Sequence, residues 1–206
     1  LGTGASILTN IGKSFEYNND IITTLSYVYK NKPSYSYECL INYAGATVSW
    51  LKNNLKIIRN ENQINNIFAK TKNTEGVVFV PAFVGLSSPY WKPNSKALIH
   101  GLTPSINKNQ IIRAALESIA FQIKDYLDDL EVKNKIKYND IYIDGGIVSN
   151  TSFMQFLTNI LNKKIYVTNY QDMSSYGALM MGLLGMNIKK NLKEIKNLQQ
   201  KYFTYT

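Results

Sequence analysis

Three short segments rich in β-branched and aromatic residues open the chain, and no helical period interrupts them before Ala44. The first runs from Ala5 to Ile11 and stops at Gly12. The second, Ile21 to Tyr29, stops at Asn31-Lys32-Pro33, and the third, Tyr35 to Ile41, alternates. Segments this short, divided by turn residues, predict three strands in an antiparallel meander. A chain that begins this way cannot be an all-helical bundle.

The period then changes. From Ala44 the apolar positions Val48, Leu51, Leu55 and Ile58 follow helical spacing, and a second, polar helix is expected from Glu61 to Lys72. Val77-Val78-Phe79-Val80, ended by Pro81, reads as a buried strand, and a long loop with Pro89, Trp91 and Pro93 follows. Asn107, with Gln110 three residues on, resembles a capping box for the longest helix. Its stripe is Ile112, Leu116, Ile119, Ile123, Tyr126 and Leu130. Strands at Ile141–Ile143 and Ile165–Val167 alternate with helices at Phe153–Leu161, Gly177–Gly185 and Leu192–Gln200. The expected order is β-β-β-α-α-β-α-β-α-β-α-α, a mixed α/β sheet with helices packed on it. No repeat or linker divides the 206 residues, so one domain is expected.

Composition removes several functions. Apolar residues at 45% and charged residues at 18% describe a globular chain. The longest apolar stretch, Ala178 to Met186, falls well short of the roughly 18 residues needed to cross a membrane, so no membrane association is expected. Leu1-Gly2-Thr3-Gly4 carries no basic segment and does not resemble a signal peptide; a chain opening this way is expected to be a piece of a longer protein. A lone cysteine, Cys39, allows no internal disulfide, and a lone histidine, His100, allows no site with two His ligands. Lys+Arg exceed Asp+Glu by 23 − 14 = +9. Only Arg59 and Arg113 are arginine, however, and the lysines are scattered among asparagines. Nucleic-acid readers lean on arginine for bidentate contacts, so the charge is a solvated surface and no nucleic acid is expected as partner. A mild attraction for polyanions, nucleotides included, remains.

Gly12-Lys13-Ser14 has the tail of a P-loop, but Ile7 stands where the first glycine belongs, and the segment joins two strands. It is a turn. No Gly-x-Gly-x-x-Gly fingerprint follows a strand. Three other small-residue sites matter more. Gly2-Thr3-Gly4 leads into the first strand, and Ala44-Gly45-Ala46 opens a helix. Asp144-Gly145-Gly146 through Asn150 joins a strand to a helix. Glycines there permit positive φ and a close ligand, while a helix start offers free N–H groups to an anion. A tight structural turn reads equally well. Asp140 and Asp144 are either Mg²⁺ partners at a nucleotide site or solvated loop carboxylates. Cys39 and His100 are expected to be structural.

Several stretches together resemble one family. Val80-Pro81-Ala82-Phe83-Val84-Gly85-Leu86, with Pro89-Tyr90-Trp91 after it, resembles a block of glycerol kinases, within the sugar-kinase superfamily of actin-like ATPases. Ala97 to Leu102, Gln110-Ile111 and Ala114 to Glu117 resemble that superfamily's carboxyl-side signature. Asp144-Gly145-Gly146 through Asn150, then Met154 to Leu157, resembles its adenine-nucleotide block, and Gly2-Thr3-Gly4 and Ala44-Gly45-Ala46 fall in matching order.

The resemblance implies a ribonuclease-H-like (actin-like ATPase) α/β domain. Its mixed sheet would combine a three-stranded antiparallel meander with parallel strands, and helices would cover both faces. Residues 1–206 would be the carboxyl-terminal nucleotide-binding domain of a two-domain kinase, whose amino-terminal domain is not in this chain. It implies ATP and Mg²⁺ as cofactors, glycerol or a similar polyol as substrate, a cytoplasmic enzyme and assembly as a homodimer or homotetramer. By resemblance Thr3 contacts phosphates, Gly45 lines the nucleotide site, Gly146 approaches the α-phosphate or ribose, and Asn150 reaches the adenine side. Ser49 stands where the family has a nucleotide-contacting Gln. Ser6, Lys92 and Lys96 replace an aromatic, an Asp and an Arg, which bears on the identity of the substrate.

No catalytic or metal-ligating residue is assigned within the chain. The family's base Asp and most of its glycerol contacts precede the position of Gly2, so this chain alone is expected to bind nucleotide weakly and turn nothing over. Two alternatives stand beside glycerol kinase: a related polyol or carbohydrate kinase, and a non-catalytic actin-like nucleotide-binding domain. An exposed apolar cleft face is expected near Tyr90-Trp91.

Overall fold

Strands β1 (Ala5–Gly12), β2 (Ile22–Tyr29) and β3 (Lys32–Ile41) form an antiparallel sheet in the computed structural model, which describes residues 2–136, 138, 140–168, 172–196, 198 and 202–206. Their spatial order is β1-β3-β2. The third strand lies in the middle because its alternate residues Tyr37, Cys39 and Ile41 are the ones that bury fully. They pair across to Thr9, Ile7 and Ala5 in turn. This face packs on the core, while the opposite face carries exposed Leu8, Ile22 and Leu40.

Helix α1 (Gly45–Asn53) and helix α2 (Glu61–Lys70) follow. Helix α1 is shorter than its apolar spacing implied. Leu51 is fully buried, but Leu55 lies beyond the last turn and is exposed. The side chain of Asn60 caps α2 by accepting from Gln63 N–H. The strand expected at Val77–Val80 is β4 (Val78–Val80). It pairs with β5 (Leu98–His100), antiparallel and in register Val78↔His100. Three residues are too few to show a period, so β5 was not foreseen.

Helix α3 (Lys108–Val132) is the longest element. Asn107 and Gln110 close the expected capping box, each side chain accepting from the other's backbone N–H. All six residues of the expected stripe are buried, and α3 packs against α1, α2, β3 and β4. Arg113 pins α2 to it: its guanidinium donates to the Phe68 carbonyl at 3.0 Å and to that of Thr71, pairs with Glu117 at 2.6 Å, and lies 4.6 Å from the Phe68 ring centre.

Strand β6 (Asp140–Ile143) is followed by a 3₁₀ turn at Gly146–Ser149 and then by helix α4 (Thr151–Leu161). Phe153, Met154 and Leu157 of α4 are fully buried, and Phe153 meets the Phe68 ring edge-on at 5.9 Å. Strand β7 (Lys164–Thr168) runs parallel to β6. On its other side lies β8 (Tyr202–Tyr205), antiparallel to β7 and also not foreseen. Helix α5 (Met173–Gly185) begins four residues before the expected Gly177, because Asp172 caps it by accepting from Ser175 N–H at 2.9 Å. Helix α6 (Leu192–Lys196) covers the start of the last expected helix, whose end at Gln200 lies outside the described residues.

Candidate functional site

A cleft of about 910 Å³ runs between the outer face of β1 and β2 and the helices α5 and α6. One wall holds Ser6, Leu8, Ser26 and Tyr27, and the other holds Met173, Ser174, Gly177, Ala178 and Met181, with Leu192 and Ile195 from α6. Two backbone bends line it as well. Gly2 and Gly4 come from the approach to β1, and Asp144 and Gly145 from the end of β6. The bends are 140 residues apart in sequence, and only the tertiary fold brings them to one space.

Each bend has a physical reason to be small. Gly145 sits at φ 96°, ψ 177°, a conformation essentially restricted to glycine. The Gly2–Gly4 bend is held by the start of α1. Ala44 and Ala46 N–H donate to the Thr3 carbonyl at 3.2 and 2.9 Å, and Gly45 N–H donates to the Gly2 carbonyl at 2.9 Å. A Cβ on Gly45 would lie 2.5 Å from that same carbonyl oxygen, so α1 approaches the bend this closely only with glycine there.

The sequence-derived site residues distribute around these bends. Thr3 is exposed between the two cleft-lining glycines, with its carbonyl spent on α1. Gly45 supports the bend from behind. Ser49, one turn further along α1, is exposed and turns its hydroxyl back to the Gly45 carbonyl at 3.4 Å. Gly146 opens the 3₁₀ turn, and a Cβ there would meet nothing within 4 Å. Asn150 is buried, and its Oδ1 accepts from Phe153 N–H at 3.0 Å, which caps α4. Of the five, none lies on the cleft wall itself; Thr3 and Gly146 are direct chain neighbours of residues that do.

Sequence reasoning did not identify the α5 and α6 wall. A signal was present: α5 is apolar nearly all round and contains three glycines, yet only Leu184 is buried. A helix apolar all round is ordinarily buried, so its exposure here marks a face turned to something other than the core. Gly177 and Ala178 flatten the wall, and Met173, Met181 and Ile195 make it apolar. Asp144 is the single carboxylate on the cleft wall among the described residues, and no lysine or arginine lines it. Its Oδ2 accepts from Met173 N–H at 3.3 Å, tying β6 to the start of α5. At that helix start, hydrogen bonds from Ser175 hold the Asp172 carboxyl below the usual carboxylate range.

Cys39 takes no part. It is fully buried on β3, and burial pushes its thiol up to about 12, far from the thiolate a nucleophile needs. His100 is exposed on β5. Tyr90 and Trp91, near which an apolar cleft face was expected, are 41% and 42% exposed, and neither lines this cleft. The Trp91 indole N–H is nevertheless tied to the Asp20 carbonyl at 2.6 Å. No group of three or more His, Cys, Asp or Glu that could hold a metal occurs among the described residues. No described helix is long and apolar enough to cross a membrane.

Comparison with known proteins gives this geometry a family. Residues 1–186 match the model of the FGGY family of carbohydrate kinases, C-terminal domain. The glycerol kinase of Fusobacterium nucleatum is 39% identical over 196 residues, which cover 95% of this chain and 39% of that protein. That of Thermococcus gammatolerans is 35% identical over 197 residues, 96% of this chain and 40% of that protein. Among solved structures, Plasmodium falciparum glycerol kinase with ADP superposes with a TM-score of 0.88 at 37% identity, over 100% of this chain and 41% of its own. Xylulose kinase from Lactobacillus acidophilus shares the fold at TM-score 0.83 and 21% identity, covering 99% of this chain and 41% of that one. The chain thus spans about two fifths of the length of the curated relatives it matches.

Proposed function

The chain belongs to the FGGY family of carbohydrate kinases, matching its C-terminal domain, and from that membership we propose that it is the nucleotide-binding part of an ATP-dependent glycerol kinase. The observation that carries the proposal is the meeting of the Gly2–Gly4 and Asp144–Gly145 bends in one cleft. Bends without side chains let a triphosphate lie against main chain. The apolar wall of Met173, Met181 and Ile195 suits a nucleoside, since ligand sites are mostly apolar with a few placed polar groups. Support for glycerol as substrate comes from relatives named glycerol kinase at 35–39% identity.

The residues present fit Mg²⁺ only as a passenger of the nucleotide. Asp144 is a single carboxylate, and a triphosphate beside it would meet no protein cation in the cleft. Asp144 is the residue that would hold a divalent ion brought in with the phosphates, since such an ion needs only one or two protein carboxylates. Bound, it would neutralise charge on the phosphates as the γ-phosphoryl group moves to a polyol hydroxyl. The chain's own part is positional. Gly45 fixes the first bend through its hydrogen bond to Gly2 and leaves the Thr3 hydroxyl at the phosphate end. Asn150 holds α4 behind the second bend, Gly146 keeps the approach to the ribose open, and Ser49 stands one turn behind Gly45.

The base that would take the polyol's proton is assigned to the part of the enzyme outside these residues. We place the enzyme in the cytoplasm, with its ATP, and expect a homo-oligomer. A related polyol or carbohydrate kinase stays as a second reading, because Ser6 lies on the cleft wall and bonds Glu38 at 2.8 Å.

Titration of the 206-residue chain with ATP and Mg²⁺, followed by amide NMR, tests the proposal. Shifts are expected at Gly2–Gly4, Asp144–Gly145 and α5, with no phosphorylation of glycerol. Shifts confined to the polar hollow beside α2, lined by Arg59, Gln63 and Lys70, would overturn the assignment of the site. Turnover of glycerol by the chain alone would overturn the assignment of the base. A polyol panel on the longer protein separates the two substrate readings.

A further inference from the structure

Helix α3 carries into the core two polar groups that its apolar neighbours do not serve. Among the described residues, three buried side-chain atoms have no hydrogen-bond partner in the protein: Ser88 Oγ, Tyr126 Oη and Asp129 Oδ2. Tyr126 and Asp129 lie on α3, three residues apart and so on one face. Tyr126 is fully buried, and Asp129 is 9% exposed. Ser118, also buried on α3, is satisfied within the helix, because its hydroxyl donates to the Ala115 carbonyl at 2.7 Å.

Neither group stays dry without cost. The Asp129 carboxylate gives Oδ1 to Lys133 Nζ at 2.6 Å, which leaves Oδ2 as a bare buried acceptor. Burial above all, with Cys39 and Asp129 near it, pushes the Tyr126 phenol above its ordinary range. The phenol therefore keeps a proton that needs an acceptor. Thr9 pairs with Tyr37 across β1 and β3, on the sheet face that buries Cys39. Its side chain acts on the phenol in the opposite sense, yet closes no hydrogen bond with it. A buried polar group left unmatched costs more than a matched one contributes. Polar groups that face each other beyond hydrogen-bond reach are where a bridging water fits.

We propose that ordered water is built into the contact between α3 and the sheet of β1 and β3, held by Tyr126 Oη, Asp129 Oδ2 and the Thr9 hydroxyl. Water accepts from the phenol and donates to the carboxylate and to Thr9, which gives it the about three partners typical of an internal water. A cation is not called for, since Lys133 already balances the carboxylate. The inference does not rest on the kinase reading, and its test uses no nucleotide.

Oxygen-17 relaxation dispersion of the 206-residue chain detects water that tumbles with the protein and is blind to hydrogen exchange of the hydroxyls. Tyr126→Phe should lower the dispersion amplitude by about one water's share. It should also lower the melting temperature by about 2–4 °C, as loss of a made hydrogen bond does. An unchanged amplitude would overturn the proposal. So would a melting temperature that holds or rises, because deleting a buried hydroxyl that has no partner removes a desolvation cost. Thr9→Val, on the strand side of the site, supplies the reading should the first variant fail to fold. It too should lower the amplitude, and full amplitude would overturn the proposal.

Discussion

Helices α3 and α5 invert the usual link between apolar content and burial. Helix α3 carries charges along much of its length (Lys108, Arg113, Glu117, Lys124, Asp125, Asp128, Asp129 and Glu131) yet buries twelve residues. Helix α5 contains no charged residue and buries only Leu184. The difference lies in arrangement. The apolar residues of α3 recur at three- and four-residue spacing and form one stripe that α1, α2, β3 and β4 cover. Those of α5 surround the helix, so no single face can be satisfied by the core, and one side is left to wall a cleft. A core helix and a site helix are therefore distinguished by periodicity, not by hydropathy.

The contrast can be broken most directly at Leu116, which is 1% exposed at the centre of α3. Leu116→Ala should cost about 2–5 kcal/mol in chemical denaturation, since it removes buried methyl groups and leaves a cavity. A loss below about 1 kcal/mol would mean that α3 is not the centre of the core.

A smaller effect is expected in acid at the start of α5. The Asp172 carboxyl is held below its ordinary value by the Ser175 hydrogen bonds. A group depressed in the folded state contributes stability that is present above its unfolded pKa, near 4, and is lost as pH falls through the folded value. The protection of the first α5 amides, taken relative to their intrinsic exchange at each pH, should therefore fall below about pH 4 while that of α3 is kept. Asp172→Asn should show no such step. Loss of both helices together would make α5 part of the core unit.

The least effect is expected at Leu179, 55% exposed on α5. Leu179→Ser should change stability by about 0.5 kcal/mol or less, as exposed positions usually do. A loss as large as that at Leu116 would erase the distinction between the two helices.

What was legible in the sequence followed the same division. The stripe of α3, its Asn107–Gln110 cap and the Phe153–Leu161 face of α4 are local patterns, and each folds as written. Strands β5 and β8 were not legible because three or four residues show no period and gain their structure from β4 and β7. The central place of β3 was also hidden, since a meander places its second strand in the middle by default and only burial of Tyr37, Cys39 and Ile41 decides otherwise. For the site, the glycine-bearing bends could be picked out, because a backbone that must turn sharply or be approached closely selects small residues. The wall of α5 and α6 left only one trace, an uncharged apolar helix without a single stripe, which does not say what the helix faces.

The sequence by itself determined the mixed α/β class, the helices with one apolar stripe, and the two bends, because spacing and glycine act over a few residues. Only the tertiary structure decided that Gly2 and Gly145 line one cleft and that Gly45 touches the Gly2 carbonyl. Those relations join positions that lie tens of residues or more apart, and their distance in space is set by how the core packs around α3.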